Sequence, residues 1–224
     1  MDDLTQIIDK IIKSDRRTYS LEINKEGKLI VRVPKNFTNH DLKKILEDKR
    51  QWIVSKYTLR NQKINEAKKI KENKVFYHGE LIDIEYISLG QYLLKYEKGK
   101  VYIDIEYKER YKDILYNWLR INAKNYLTTK TIELADKYKF KINDIRIKEQ
   151  KRRWGSCSHR KNINLNWRLI MANDRIIEYI IIHELSHTIE LNHSDKFWKI
   201  VENILPNYRE IEKELTEIEY LLDL

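Results

Sequence analysis

The chain has 224 residues, 35% charged and 42% hydrophobic, with 5 Gly, 2 Pro and a formal net charge of +9 at pH 7. That balance describes a folded globular chain, not a disordered or fibrous one, long enough for one sizeable core or two small lobes. A lone Cys excludes an internal disulfide, no stretch approaches the run of about 18 apolar residues that a membrane span needs, and the N-terminus lacks the basic-then-apolar pattern of a secretion signal; a cytoplasmic location without membrane contact is therefore expected.

Residues 19–24 and 28–34 alternate with the strand period around Glu26 and Gly27, which predicts a hairpin. Residues 38–41 have capping-box form and open a helical stretch with Leu42, Ile45, Leu46, Trp52 and Ile53 at helical spacing. The polar tail that follows, to about Asn73, reads as an excursion or linker. Between Leu81 and Glu106 three short alternating runs, separated at Gly90 and Gly99, predict further strands. From Tyr107 to Tyr138 the period becomes helical, with Leu115, Trp118, Leu119, Asn122 and Tyr126 on one side, a face suited to a core.

Residues 142–148 and 162–167 read as two strands joined by a loop that contains Trp154, Gly155, Ser156 and Cys157. A helix then begins at a cap provided by Asn173 or Asp174, and Pro206 closes the helix after it. The expected organisation is α+β: an N-terminal β-rich lobe with one long helix over 1–106, and a helical lobe with a short sheet over 107–224.

The most informative residues are 183–187, His-Glu-Leu-Ser-His, embedded in a markedly apolar helical run. Four residues is close to one helical turn, so His183 and His187 share a face and can hold one zinc ion, Zn2+, between them. Glu184 is placed to take a proton from a water activated there. A random chain of this composition would contain the pattern on the order of once in a hundred sequences. His193 follows His187 by six residues, past a turn at Asn192, and zinc hydrolases use three protein ligands plus one open position. Downstream carboxylates compete for the third place: Glu202, Glu210 and Glu212, and more weakly Asp195.

The runs 153–158, 162–168, 183–187 and 192–194, with Phe197 and Trp198, resemble the YgjP-like metallopeptidases, a family grouped near the M48 and SprT-like zincins. The resemblance is densest over 145–205 and suggests one continuous family domain from about 15 to 215. It implies a zincin-like fold and zinc-dependent peptidase activity on a peptide or partly unfolded protein, with His183, His187 and His193 as ligands and Glu184 as catalytic acid/base. It also implies that a substrate strand adds to the sheet edge before the motif helix. The spacing to His193 matches the metzincins as well, but their glycine is replaced by Glu190 and no Met follows the motif, so a metzincin is not expected.

A donor to developing negative charge is needed beside the metal, and Arg153, His159, Arg168 and Tyr208 offer one by type; Arg153 and Tyr208 are the candidates for transition-state or substrate contact. Cys157 reads as a small buried residue. A rival from another class is a basic, nucleic-acid-associated protein, or an SprT-like protease acting on DNA-linked proteins, with a structural or latent zinc site. A structural site requires a fourth protein ligand, for which Cys157 is the one to test. Basic residues do gather at 68–71 and 148–153, although the first cluster suits a solvated helix end.

Overall fold

The structure, a computed structural model, describes residues 4–150 and 153–222. It divides into two compact units, Met1–Ile70 and Lys71–Leu224. Together their described residues form three small sheets and six α-helices. No helix among them is long and apolar enough to cross a membrane.

In the first unit, β1 (Ile8–Ser14), β2 (Ser20–Ile23) and β3 (Leu29–Pro34) form a sheet in the order β1-β3-β2. The expected hairpin is the antiparallel β2–β3 pair, which turns through Gly27 at φ +75°. Strand β1, not foreseen, pairs parallel with β3. The alternate residues Leu29, Val31 and Val33 of β3 are fully buried and share a small core with Leu46 and Ile53. Those two come from α1 (Asn39–Asp48) and α2 (Arg50–Ile70). The capping box is present: Thr38 Oγ1 accepts from the Asp41 N–H, and the Asp41 carboxylate accepts from the Thr38 N–H. The stretch read as a linker is helix, because Lys, Gln, Glu and Ala there are good helix formers and α2 runs unbroken to Ile70.

The second unit opens with β4 (Lys74–Tyr77), β5 (Glu80–Ile87), β6 (Leu94–Glu97) and β7 (Lys100–Asp104), a four-stranded sheet ordered β4-β5-β7-β6. Its inward residues Val75, Ile82, Ile84, Val101 and Ile103 belong to the same core as Leu119 and Leu127 of α3 (Tyr111–Lys137). This shared core is why the division falls after Ile70 and not at 106/107: apolar side chains of this sheet are buried against the C-terminal elements.

A second sheet of this unit comprises β8 (Asp144–Lys148), β9 (Gly155–Cys157) and β10 (Asn162–Asn166) in the order β8-β10-β9. The two expected strands pair parallel, and the loop between them contributes the third, β9, antiparallel to β10 and at the sheet's edge. Ile163 and Leu165 of β10 are fully buried, which seats the sheet on α4 (Asp174–Ser186); α5 (Asp195–Ile204) and α6 (Tyr208–Ile218) complete the unit.

The start of α4 is held by the β4–β5 turn. His78 (φ +50°) and Gly79 (φ +80°) donate their N–H groups to the carbonyls of Ile170 and Met171 at 2.8 and 3.1 Å. The Asp174 carboxylate then lies 2.9 Å from His78 Nδ1 and accepts from Tyr126 O–H at 2.8 Å. A Cβ on Gly79 would stand 2.6 Å from the Cβ and 2.9 Å from the Cα of Asn173, the residue that caps α4. Gly79→Ala therefore meets a backbone penalty of about 1–2 kcal/mol and a clash with a helix cap besides. Urea denaturation should show a loss of about 2 kcal/mol or more for this variant and only about 1 kcal/mol for Gly99→Ala, whose φ is +74° in open space.

Candidate metal centre

Helix α4 forms because Asn173 caps it, its Oδ1 accepting from the Ile176 N–H at 3.0 Å, and Asp174 puts an acidic group in the first turn. Ile176, Ile177, Ile181, Ile182 and Leu185 are fully buried, so its polar residues are carried into the interior with it. The helix ends at Ser186, with His187 as its C-cap still in the right-handed region. The following turn needs no left-handed residue: the N–H groups of Thr188, Ile189 and Glu190 return to the carbonyls of Leu185 and Ser186. Replacement of the metzincin glycine by Glu190 therefore costs this backbone nothing.

The next helix brings in the third histidine. Ser194 caps α5, its Oγ accepting from the Phe197 N–H at 3.5 Å, and His193 sits just before that cap. The ligand atoms of His183, His187 and His193 lie within 4.8 Å of one another, with His183 and His193 Nε2 3.0 Å apart. No carboxylate joins this cluster among the described residues, and neither does Cys157. Of the sequence candidates for third ligand, the structure brings in His193; Glu202, Glu210, Glu212 and Asp195 are exposed elsewhere, Glu212 hydrogen-bonded to Tyr179.

Three features suit the cluster to a metal ion. His187 Nδ1 is 3.0 Å from the Glu190 carbonyl, a pure acceptor, so Nδ1 carries the proton and Nε2 keeps its lone pair. Burial, together with the other two imidazoles, depresses His183 to a pKa of about 3, and burial depresses His187, so both are neutral at pH 7. Flat aromatic rings hold the imidazoles in place: Phe197 stacks on His187 (4.4 Å, 28°) and Trp198 on His193 (5.6 Å, 29°), and Tyr208 stacks behind Trp198 (5.1 Å, 13°).

Glu184 points away from solvent, 6% exposed, and its Oε2 has no hydrogen-bond partner among the described residues. Loss of hydration raises its pKa to about 8, opposed by the charge of Arg153. Strand β9 lies against this carboxyl: a Cβ on Gly155 would stand 2.6 Å from Glu184 Cγ and Oε1. Cys157, on the same strand, has its thiol pushed up to about 11, first by burial and then by the Glu184 charge, the opposite of a thiolate ligand.

Of the remaining candidates, Arg153 is exposed, with its carbonyl accepting from Asn166 Nδ2 at 3.2 Å. Tyr208 is buried and its hydroxyl accepts from Arg209 Nε at 3.1 Å. Arg168 is engaged by Glu149 at 3.0 Å and lies over the Trp167 ring, whereas His159 is exposed on the β9–β10 turn. Sequence reasoning missed the contact of Gly155 with Glu184, although a glycine inside a strand is itself the signal of a close approach. It also missed the Glu190 carbonyl, a backbone group that no residue type announces.

Three convergent imidazoles on and beside a buried helix, next to a carboxyl whose Oε2 is unpartnered among the described residues, are a donor set that could hold a metal ion. The chain matches the family model described as YgjP-like, metallopeptidase domain, over residues 17–218, and it belongs to that family. Solved structures similar to part of it include two archaeal metallopeptidase zymogens. The crystal structure of the metallopeptidase zymogen of Pyrococcus abyssi abylysin is 24% identical, covering 42% of this chain and 95% of that one, at a TM-score of 0.38. That of the metallopeptidase zymogen of Methanocaldococcus jannaschii jannalysin is 27% identical, covering 41% and 94%, at 0.36. No curated protein matches the chain.

The titrations of the site oppose one another in chelator-stripped protein. Glu184 is raised from 4.5 to about 8, so the stability it contributes is present below 4.5 and lost as pH rises through 8. His183 is lowered from 6.5 to about 3, so its contribution is present above 6.5 and lost as pH falls through 3. In urea titrations the metal-free wild type should lose stability relative to Glu184→Gln as pH rises from 4.5 to 8. A constant difference across that window would contradict the burial of an unpaired carboxyl.

Proposed function

We propose that the chain is a zinc-dependent peptidase in which His183, His187 and His193 hold the ion and Glu184 is the general base. The observation that carries this reading is the convergence of three imidazole donors within 4.8 Å beside a buried carboxyl whose Oε2 is unpartnered. Three nitrogen donors with one position left to solvent is the zinc hydrolase donor set. Zinc bound there would supply Lewis acidity toward water and the scissile carbonyl.

The protein groups then divide the remaining work. Glu184 Oε2 accepts the proton of the attacking water and returns it to the leaving amine. Its burial against β9 keeps this carboxyl away from bulk solvent, so that a proton it takes is held for the leaving amine. Arg153, exposed and electrostatically coupled to Glu184, is the first candidate to meet negative charge developing on the substrate. Tyr208 is the second: its hydroxyl accepts from Arg209 and retains a proton to donate. Strand β9, at the edge of its sheet among the described residues and beside Glu184, suits a substrate that binds in extended form and so a peptide or unfolded segment. A closed structural zinc site is disfavoured because no fourth protein ligand joins the histidines among the described residues.

Metal analysis and hydrolysis of an unfolded protein such as casein test the reading together. Wild type and Glu184→Gln should each hold about one zinc, and only the wild type should cleave, the variant falling by about a hundredfold or more. His187→Ala should lose both metal and activity. Trp198→Ala removes the ring that backs His193 and should weaken zinc binding by about tenfold in a chelator competition, with Glu184 untouched.

A further inference from the structure

We infer that Gly155 is a positioning residue for Glu184: the missing side chain on β9 is what allows the general-base carboxyl to occupy its place against the strand. This rests on the role proposed above for Glu184. A Cβ at Gly155 would lie 2.6 Å from Glu184 Cγ, 2.6 Å from Oε1 and 2.8 Å from Cδ, all well inside van der Waals contact. Gly155 is absent from the positive-φ residues, so its backbone imposes no need for glycine. The three heavy atoms nearest to such a Cβ all belong to the Glu184 side chain.

The neighbouring positions show that the strand is otherwise an ordinary one. Gly155 pairs with Leu165 and Cys157 with Ile163, both partners fully buried, while Ser156 pairs with Asn164 and accepts from its Nδ2 at 3.2 Å. Gly155 and Cys157 thus share the face toward α4, and the thiol of Cys157 also feels the Glu184 charge. A side chain is tolerated at 157 and not at 155. Because Cγ is in the contact as well as the carboxyl oxygen, rotation of the terminal torsion cannot relieve it; the side chain must leave its position near Cβ. At 6% exposure Glu184 has little free space to enter. The edge strand β9 is therefore also the wall that sets where the proton-accepting oxygen stands.

The test combines a stability cycle with kinetics on the full chain. Gly155→Ala should lower the urea midpoint of chelator-stripped protein, and the same substitution in a Glu184→Ala background should not, because the clashing atoms are gone. If Gly155→Ala fails to fold alone, Gly155→Ala with Glu184→Ala should fold. An unchanged midpoint in the first comparison, or an equal loss in both backgrounds, overturns the inference. Loaded with zinc, Gly155→Ala should still hold about one ion while kcat for casein falls roughly tenfold to a hundredfold and KM changes by less than about twofold. An unchanged kcat overturns the inference and leaves the functional proposal intact. A wild type that binds zinc and cleaves nothing removes the functional proposal, and the stability cycle still decides the steric dependence of Glu184 on Gly155.

Discussion

An α-helix as apolar as α4 must be covered along most of its surface, yet it carries a carboxyl that hydration would otherwise stabilise. Glu184 is enclosed by β9 and the surrounding core with one oxygen unpartnered, an arrangement that costs free energy in the absence of a compensating charge. That cost is visible as a carboxyl raised to about 8. Much of the second unit is organised by the covering of this helix: Leu165 of β10, Phe197 of α5 and Ile211 of α6 belong to the same buried cluster as its isoleucines. The site is therefore a part of the core that has been left polar, and its polar groups are placed with the precision of core packing.

The imidazoles are positioned by two different means. His183 and His187 inherit their relation from helical geometry, while His193 comes from outside α4 and depends on the turn and on the Ser194 cap. Aromatic stacking compensates for that weaker connection. Phe197 and Trp198, adjacent in sequence on the first turn of α5, lie flat on His187 and His193 respectively, and Tyr208 of α6 lies flat behind Trp198. Stacked rings restrict imidazole rotation without competing for the nitrogen lone pairs, which leaves those free for an ion.

The four-stranded sheet contributes at a distance. Its β4–β5 turn grips the chain just before α4 through two backbone hydrogen bonds, and His78 and Tyr126 converge on Asp174 in the first turn. The helix start is thereby fixed about two and a half turns from His183. This explains why the sheet belongs with the C-terminal elements: its core is continuous with theirs, and its turn sets the register from which the histidines project.

What the sequence determined by itself follows from periodicity and from chemistry carried by adjacent residues. The β2–β3 hairpin, strands β5, β6 and β7, the long helix α3 and the motif helix all announce themselves through local patterns, and His183, Glu184 and His187 are related by one turn of a helix wherever that helix lies. The strands that escaped, β1, β4 and β9, are short or irregular and are strands because a neighbouring strand supplies hydrogen bonds. The unit boundary after Ile70 escaped for the same reason, since which side chains share a core is not written in either segment alone. The choice of His193 over a downstream Glu, left open by the residues themselves, was made by tertiary structure, which also set Gly155 against Glu184. Each of these is a matter of distance between groups whose separation along the chain is set by turns and packing, and no local preference encodes it.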